Sequence, residues 1–140
     1  MMRRQYTCTF KLKGWAEVTS EHVDPVEAKA DAKARLEAAL LTANMRRDGD
    51  VEDWSLSCPN RGNIEITRSD AGHVVRFPLK GTIEYTREAR GSTEAVREAK
   101  PVVDDAIASI DMDDSGLDDW SIKRKRERSI MLDIRKRGRR

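Results

Sequence analysis

Cysteine is nearly absent from this chain: Cys8 and Cys58 stand alone, without CxxC spacing, which excludes a disulfide scaffold and a cysteine-rich zinc module. With no signal-peptide stretch at the start, a reducing, cytoplasmic compartment is expected. No apolar run approaches the roughly 18 residues of a membrane span, so no membrane partner is expected. Histidine is equally scarce. His22 and His73 sit in unrelated contexts, without a serine or cysteine partner at a recognised spacing. A Gly-rich phosphate loop and an HExxH pair are missing too. The expectation is a protein that is not an enzyme and that needs no cofactor or metal.

What is present is a self-match at an offset of 66 to 67 residues. Tyr6 to Thr19 lines up with His73 to Thr86: Phe10 meets Phe77, Leu12-Lys13-Gly14 meets Leu79-Lys80-Gly81, and Thr19 meets Thr86. Further on, Glu52-Asp53-Trp54-Ser55-Leu56 meets Asp118-Asp119-Trp120-Ser121-Ile122, and Ile64 meets Ile130. A fixed-period match defines the structural unit before any propensity is consulted. Hydrophobic content of 38% against 37% charge is lean, but the apolar residues are periodic, which separates the chain from a disordered one.

Tyr6, Cys8, Phe10, Leu12, Ala16 and Val18 alternate with polar residues, as do Val75, Phe77, Leu79, Ile83 and Tyr85; this is the period of a half-buried strand. A turn at Lys13-Gly14 or Lys80-Gly81 would aim Glu17 and Glu84 at the core, so each strand is read as continuous, with its glycine at a bulge or bend. Asp24-Pro25-Val26-Glu27 opens a helix with the stripe Ala28, Ala32, Leu36, Leu40 and Ala43. Ser92 is expected to cap a second helix, with Ala95, Ala99, Val103, Ala106, Ile107 and Ile110 inward and a kink or late start at Pro101. Two shorter strands follow each helix, the first pair joined by a turn at Pro59-Asn60-Arg61-Gly62.

The predicted fold is α+β: a tandem duplication of a strand-helix-strand-strand unit, with an antiparallel-rich sheet and both helices on one face. Residues 1–140 form one domain of two repeats, about 5–69 and 72–136, with a short basic tail at 135–140. The layout is similar to that of many small accessory proteins of phages and plasmids, a likeness that carries no residue roles.

The other sheet face is left open, and Lys11, Lys13, Trp15, Arg76 and Lys80 fall on it. Basic groups around an aromatic are what a single-stranded nucleic-acid platform needs; Glu17, Glu65 and Glu84 nearby weaken that potential. Trp54 and Trp120, in phase with the inward residues, read as core. Asp111-Met112-Asp113-Asp114-Ser115-Gly116 starts like a calcium loop, but Ile122 stands where the bidentate glutamate belongs, so an acidic turn is preferred. The net charge of +2 conceals a C-terminal excess: residues 123–140 carry +8. Lys123, Arg124, Lys125, Arg126 and Arg128, then Arg135, Lys136, Arg137, Arg139 and Arg140, are read as the two ends of a hairpin arm that contacts phosphates without sequence preference. The expected function is non-enzymatic nucleic-acid binding by this arm and the open face. The alternative is a protein-interaction module, an adaptor, inhibitor or homo-oligomer, whose basic arm answers the eight acids between Glu98 and Asp119.

Overall fold

The alternating segments form two long strands that pair with each other along their whole length. In the computed structural model, which describes residues 3–59, 62–113, 116–125 and the backbone of 131–135, the order is β1 (Arg4–Ser20), α1 (Pro25–Leu41), β2 (Asn44–Met45), a 3-10 turn (Asp48–Asp50), β3 (Asp53–Ser57), β4 (Glu65–Ser69), β5 (Gly72–Ala89), α2 (Ser92–Ala108), β6 (Ile110–Asp111), β7 (Asp119–Arg124) and β8 (Met131–Arg135). β1 and β5 are antiparallel from Arg4 opposite Ala89 to Ser20 opposite His73, with no residue skipped. The protein is α+β, with two helices and an antiparallel sheet ordered β3-β5-β1-β7, β4 adding to β5 and β8 to β1.

The glycines sit at points of close approach, not at bulges. A Cβ on Gly14 would lie 2.0 Å from the Ser121 carbonyl oxygen of β7, and one on Gly81 would lie 2.0 Å from that of Ser55 in β3. The neighbouring backbone occupies the volume that any side chain would need.

β4 turns through Asp70–Ala71 into β5 as a tight hairpin, Ser69 opposite Gly72, but the short strands do not pair with each other. β3 and β4 lie end to end along the outer edge of β5, opposite Glu84–Lys80 and Arg76–Gly72. β7 and β8 lie end to end along β1, opposite Glu17–Leu12 and Thr9–Gln5. The expected hairpin turn at Pro59–Gly62 and the hairpin arm are therefore corrected: β3 continues into β4, and β7 into β8, as an interrupted edge strand. Hairpins would leave half of each long edge with unpaired backbone groups, whereas two collinear strands pair most of it. Pro78 stands in the gap between β3 and β4, where a missing N–H removes no bond to an outer strand.

Both helices pack on the same face of β1. Ala95, Ala99, Val103 and Ala106 of α2 cluster with Tyr6, Cys8, Phe10, Leu12 and Ile83; Ala32, Leu36 and Ala39 of α1 cluster with Ala16, Val18, Val75, Phe77 and Leu79. Alanine at the contact positions lets the helices lie close to the sheet while the larger residues come from the strands. Asp24 caps α1, its carboxylate accepting from the Val26 N–H at 3.2 Å. The cap of α2 is Gly91, extended at φ −161° and ψ 170°, and Ser92 is already its first residue. Pro101 neither delays nor ends α2; it is exposed, so the carbonyl it leaves free faces water. β2 and β6, which no pattern announced, pair just beyond the two helices. Trp54 and Trp120 face the core but are only half-buried at its margin.

Gly14→Ala and Gly81→Ala should each lower unfolding stability by at least about 2 kcal/mol, the scale of overpacking. Gly49→Ala, with nothing within 4 Å of the added carbon, should stay within about 0.5 kcal/mol. Denaturant midpoints of the three variants check this, and equal shifts would refute the close-approach reading.

Candidate nucleic-acid interface

Register decides which side chains meet on the helix-free face, because residues directly opposite one another share a face. Lys13 lies opposite Lys80 of β5 on one side and opposite Lys123 of β7 on the other. Ser57 of β3 lies opposite Lys80 and completes the row. Three ammonium-bearing residues thus stand side by side on a row that crosses four strands, with Cβ spacings of about 5 Å. Lys11 follows, opposite Thr82, whose hydroxyl is 3.2 Å from that of Ser55. All four lysines are exposed, and none makes an ion pair with another described residue. Like charges directly opposite one another destabilise a sheet, so folding alone gives no reason for the row.

Acids bracket it. Asp53 lies opposite Glu84, and Asp119 opposite Glu17, each pair four residues along the long strands from the row, or about 13 Å. The face therefore reads acidic, basic, acidic along the strands.

Trp15 is not a free platform. The Arg76 guanidinium lies over its ring, Cζ 3.9 Å from the centroid, and Arg76 Nε is 3.3 Å from a Glu17 carboxylate oxygen. The ring is half-buried, and Pro78 is its partner across the ladder. The guanidinium stacked on the aromatic ring, with the carboxylate as its ion-pair partner, forms one cluster beside the lysine row.

Arg124 belongs to the opposite face. It pairs with Asp104 of α2 through two hydrogen bonds of 2.9 and 3.1 Å and lies over the Phe10 ring; the Asp104 bonds raise its pKa further. Its charge is committed to holding β7 against α2, so one basic residue of the cluster does answer an acid between Glu98 and Asp119. The Lys125 N–H donates to the Lys11 carbonyl at 2.7 Å, which carries the chain past the row at the end of β7. Arg135 lies in β8, opposite Gln5. Arg126, Arg128, Lys136, Arg137, Arg139 and Arg140 lie outside the described residues.

The structure thus gathers Lys11, Lys13, Lys80 and Lys123, with Trp15 and Arg76 alongside, and sets Arg124 apart. Lys123 reads from sequence as part of the arm. The alternation of Trp120 and Ile122 with Ser121 carries the signal that it points the other way.

The remaining titratable features are structural. Asp31 accepts from Arg35 at 2.6 Å and from the Ser20 hydroxyl at 2.8 Å, and these bonds hold its carboxyl below the usual range. Burial pushes the Cys8 and Cys58 thiols up, away from the thiolate form that reactivity needs. Asp111 and Asp113 are exposed. Among the described residues, no three His, Cys, Asp or Glu side chains are placed to hold a metal ion, and no helix is long and apolar enough to cross a membrane. Comparison with protein-family models, curated proteins and solved structures returned no match.

If the lysine row is held against its own repulsion, neutralising its middle member should stabilise the fold. Lys13→Thr should raise unfolding stability by about 0.5 kcal/mol at low ionic strength, and the gain should shrink in high salt as the remaining charges are screened. Thermal melts at two salt concentrations decide it; a loss of stability at low salt would contradict the repulsion.

Proposed function

We propose that this is a non-enzymatic nucleic-acid-binding protein whose phosphate-contacting surface is the helix-free sheet face, extended by the basic C-terminal segment. The observation that carries the reading is the row Lys80, Lys13, Lys123: exposed, unpaired among the described residues and unfavourable unless an anion meets it. Phosphates are the anions that such a linear array suits, and each one neutralised releases a condensed counterion. The basic C-terminal residues add to the same attraction. Two free thiols, Cys8 buried and Cys58 half-buried, accord with a reducing compartment.

The row also supports an internally duplicated chain that forms one domain. Lys13 pairs with Lys80, its counterpart in the self-match, which is the contact expected on a two-fold axis between halves. The pairing of Ser55 with Thr82 is matched by that of Ser121 with Trp15, and Glu65 with Arg76 by Met131 with Thr9. Each helix has 17 residues. On this reading the axis runs through the lysines, so the basic row is built from both repeats.

A second reading has its own observation. The acidic, basic, acidic order along the face is self-complementary, so two copies displaced by about 13 Å along the strands would set acid pairs over lysine rows. Such a homo-oligomer would use the same face on a protein.

The test is a salt titration. Nucleic-acid binding by the full chain should weaken with log salt, and the triple substitution Lys13→Ala, Lys80→Ala, Lys123→Ala should reduce that slope by roughly two to three, at about 0.7 to 0.9 for each phosphate that is no longer neutralised. Removing residues 136–140 should reduce it again without changing the melting temperature. A discrete oligomer that salt dissociates, with no nucleic-acid affinity, would favour the second reading.

A further inference from the structure

We propose that the face takes a single-stranded nucleic acid whose backbone crosses the β-strands along the lysine row, and that a base stacks on the Arg76 guanidinium and not on Trp15. The inference rests on the nucleic-acid reading above and adds the class of strand and the residue that meets a base.

The row next to the lysines contains Trp15, two residues from Lys13 and so about 6.6 Å away. Its ring is covered by Arg76 at 3.9 Å, and a base meeting that stack from outside reaches the guanidinium first. Arg76 is suited to the contact because its guanidinium is held over the indole beneath it, with the Glu17 carboxylate 3.3 Å from its Nε as an ion-pair partner. The side chain keeps 39% of its surface exposed. A guanidinium plane held in this way offers a flat, cationic surface of the kind on which unstacked bases lie. The distance from the lysine row lets one nucleotide place its phosphate on Lys13 and its base over Arg76.

The acids argue against a duplex. A double helix lying along the row carries a second backbone about 12 Å away across its major groove. At about that distance lie Asp53 with Glu84 on one side and, on the other, Asp119 beside Glu17, of which Glu17 is already paired with Arg76. A second line of phosphates would meet carboxylates, whereas a single strand follows the lysines alone.

The experiment compares full-length protein and its Arg76→Lys variant by fluorescence anisotropy against three probes about ten nucleotides long: an oligothymidylate, an abasic strand of the same length, and a duplex. Wild type should prefer the oligothymidylate over both others. Arg76→Lys keeps the charge and loses the plane; it should weaken oligothymidylate binding roughly tenfold and leave the abasic strand unchanged. Equal wild-type affinity for base-bearing and abasic strands would overturn the stacking claim, as would an equal loss on both in the variant. A duplex bound as tightly as the single strand would overturn the choice of strand. No binding to any probe would overturn the nucleic-acid reading itself, which separates the two failures.

Discussion

Everything in this fold is registered on one ladder, the unbroken pairing of β1 with β5 from Arg4 opposite Ala89 to Ser20 opposite His73. Its length sets the architecture: at 17 and 18 residues the two strands are too long for a single short partner, so each outer edge takes two short strands in line. Its alternation sends Phe10, Leu12, Phe77 and Leu79 to the helices and every lysine of the row to the other side. Near its centre Gly14 and Gly81, opposite Leu79 and Leu12, must lack side chains, because the outer strands come within 2.0 Å of where a Cβ would stand on either. One register therefore fixes core, edges and open face together, and a shift of one residue would exchange the core face with the charged one.

The open face shows what that arrangement costs. Opposite-charge neighbours are the usual way to stabilise cross-strand pairs, and the protein brings opposite charges together elsewhere: Arg87 with Glu98 at 2.6 Å, Arg124 with Asp104 at 2.9 Å, Arg76 with Glu17 at 3.3 Å. At the middle of the face it sets lysine beside lysine beside lysine, and further along the strands acid beside acid. Sites that break a local rule while their surroundings keep it are where function is to be sought. In the proposed account, the acids that complement these lysines are the phosphates of a ligand.

Much of the fold is legible in the residues themselves. The inward phase of Tyr6, Cys8, Phe10, Leu12, Ala16 and Val18 is a local property, as is the alanine spacing of α1, and the structure buries each of those strand residues. The continuity of β1 follows from the side on which Glu17 would otherwise fall. What local pattern cannot carry is everything that depends on which strand lies beside which. A hairpin and two strands laid end to end have the same alternation, so the order of β3, β4, β7 and β8 is open to either. For the same reason local alternation turns Lys123 to the open face but does not set it beside Lys13, nor Asp53 and Asp119 beside Glu84 and Glu17. Arg124 illustrates the limit most clearly: it stands in a run of basic residues, yet its side chain crosses to Asp104 because even-numbered positions of β7 face the helices. Trp15 reads as an open stacking surface because nothing local announces that Arg76, 61 positions later in the chain, lies on it.

The central claim is that the ligand meets the helix-free face along the lysine row. Titration of isotopically labelled protein with a short oligonucleotide, followed through backbone amide and arginine side-chain resonances, addresses it residue by residue. The account predicts shifts centred on Lys11, Lys13, Lys80 and Lys123 and on the Arg76 side chain, with the exposed surfaces of α1 and α2 unmoved. Shifts confined to the helices, or a row that stays silent while binding saturates, would contradict it.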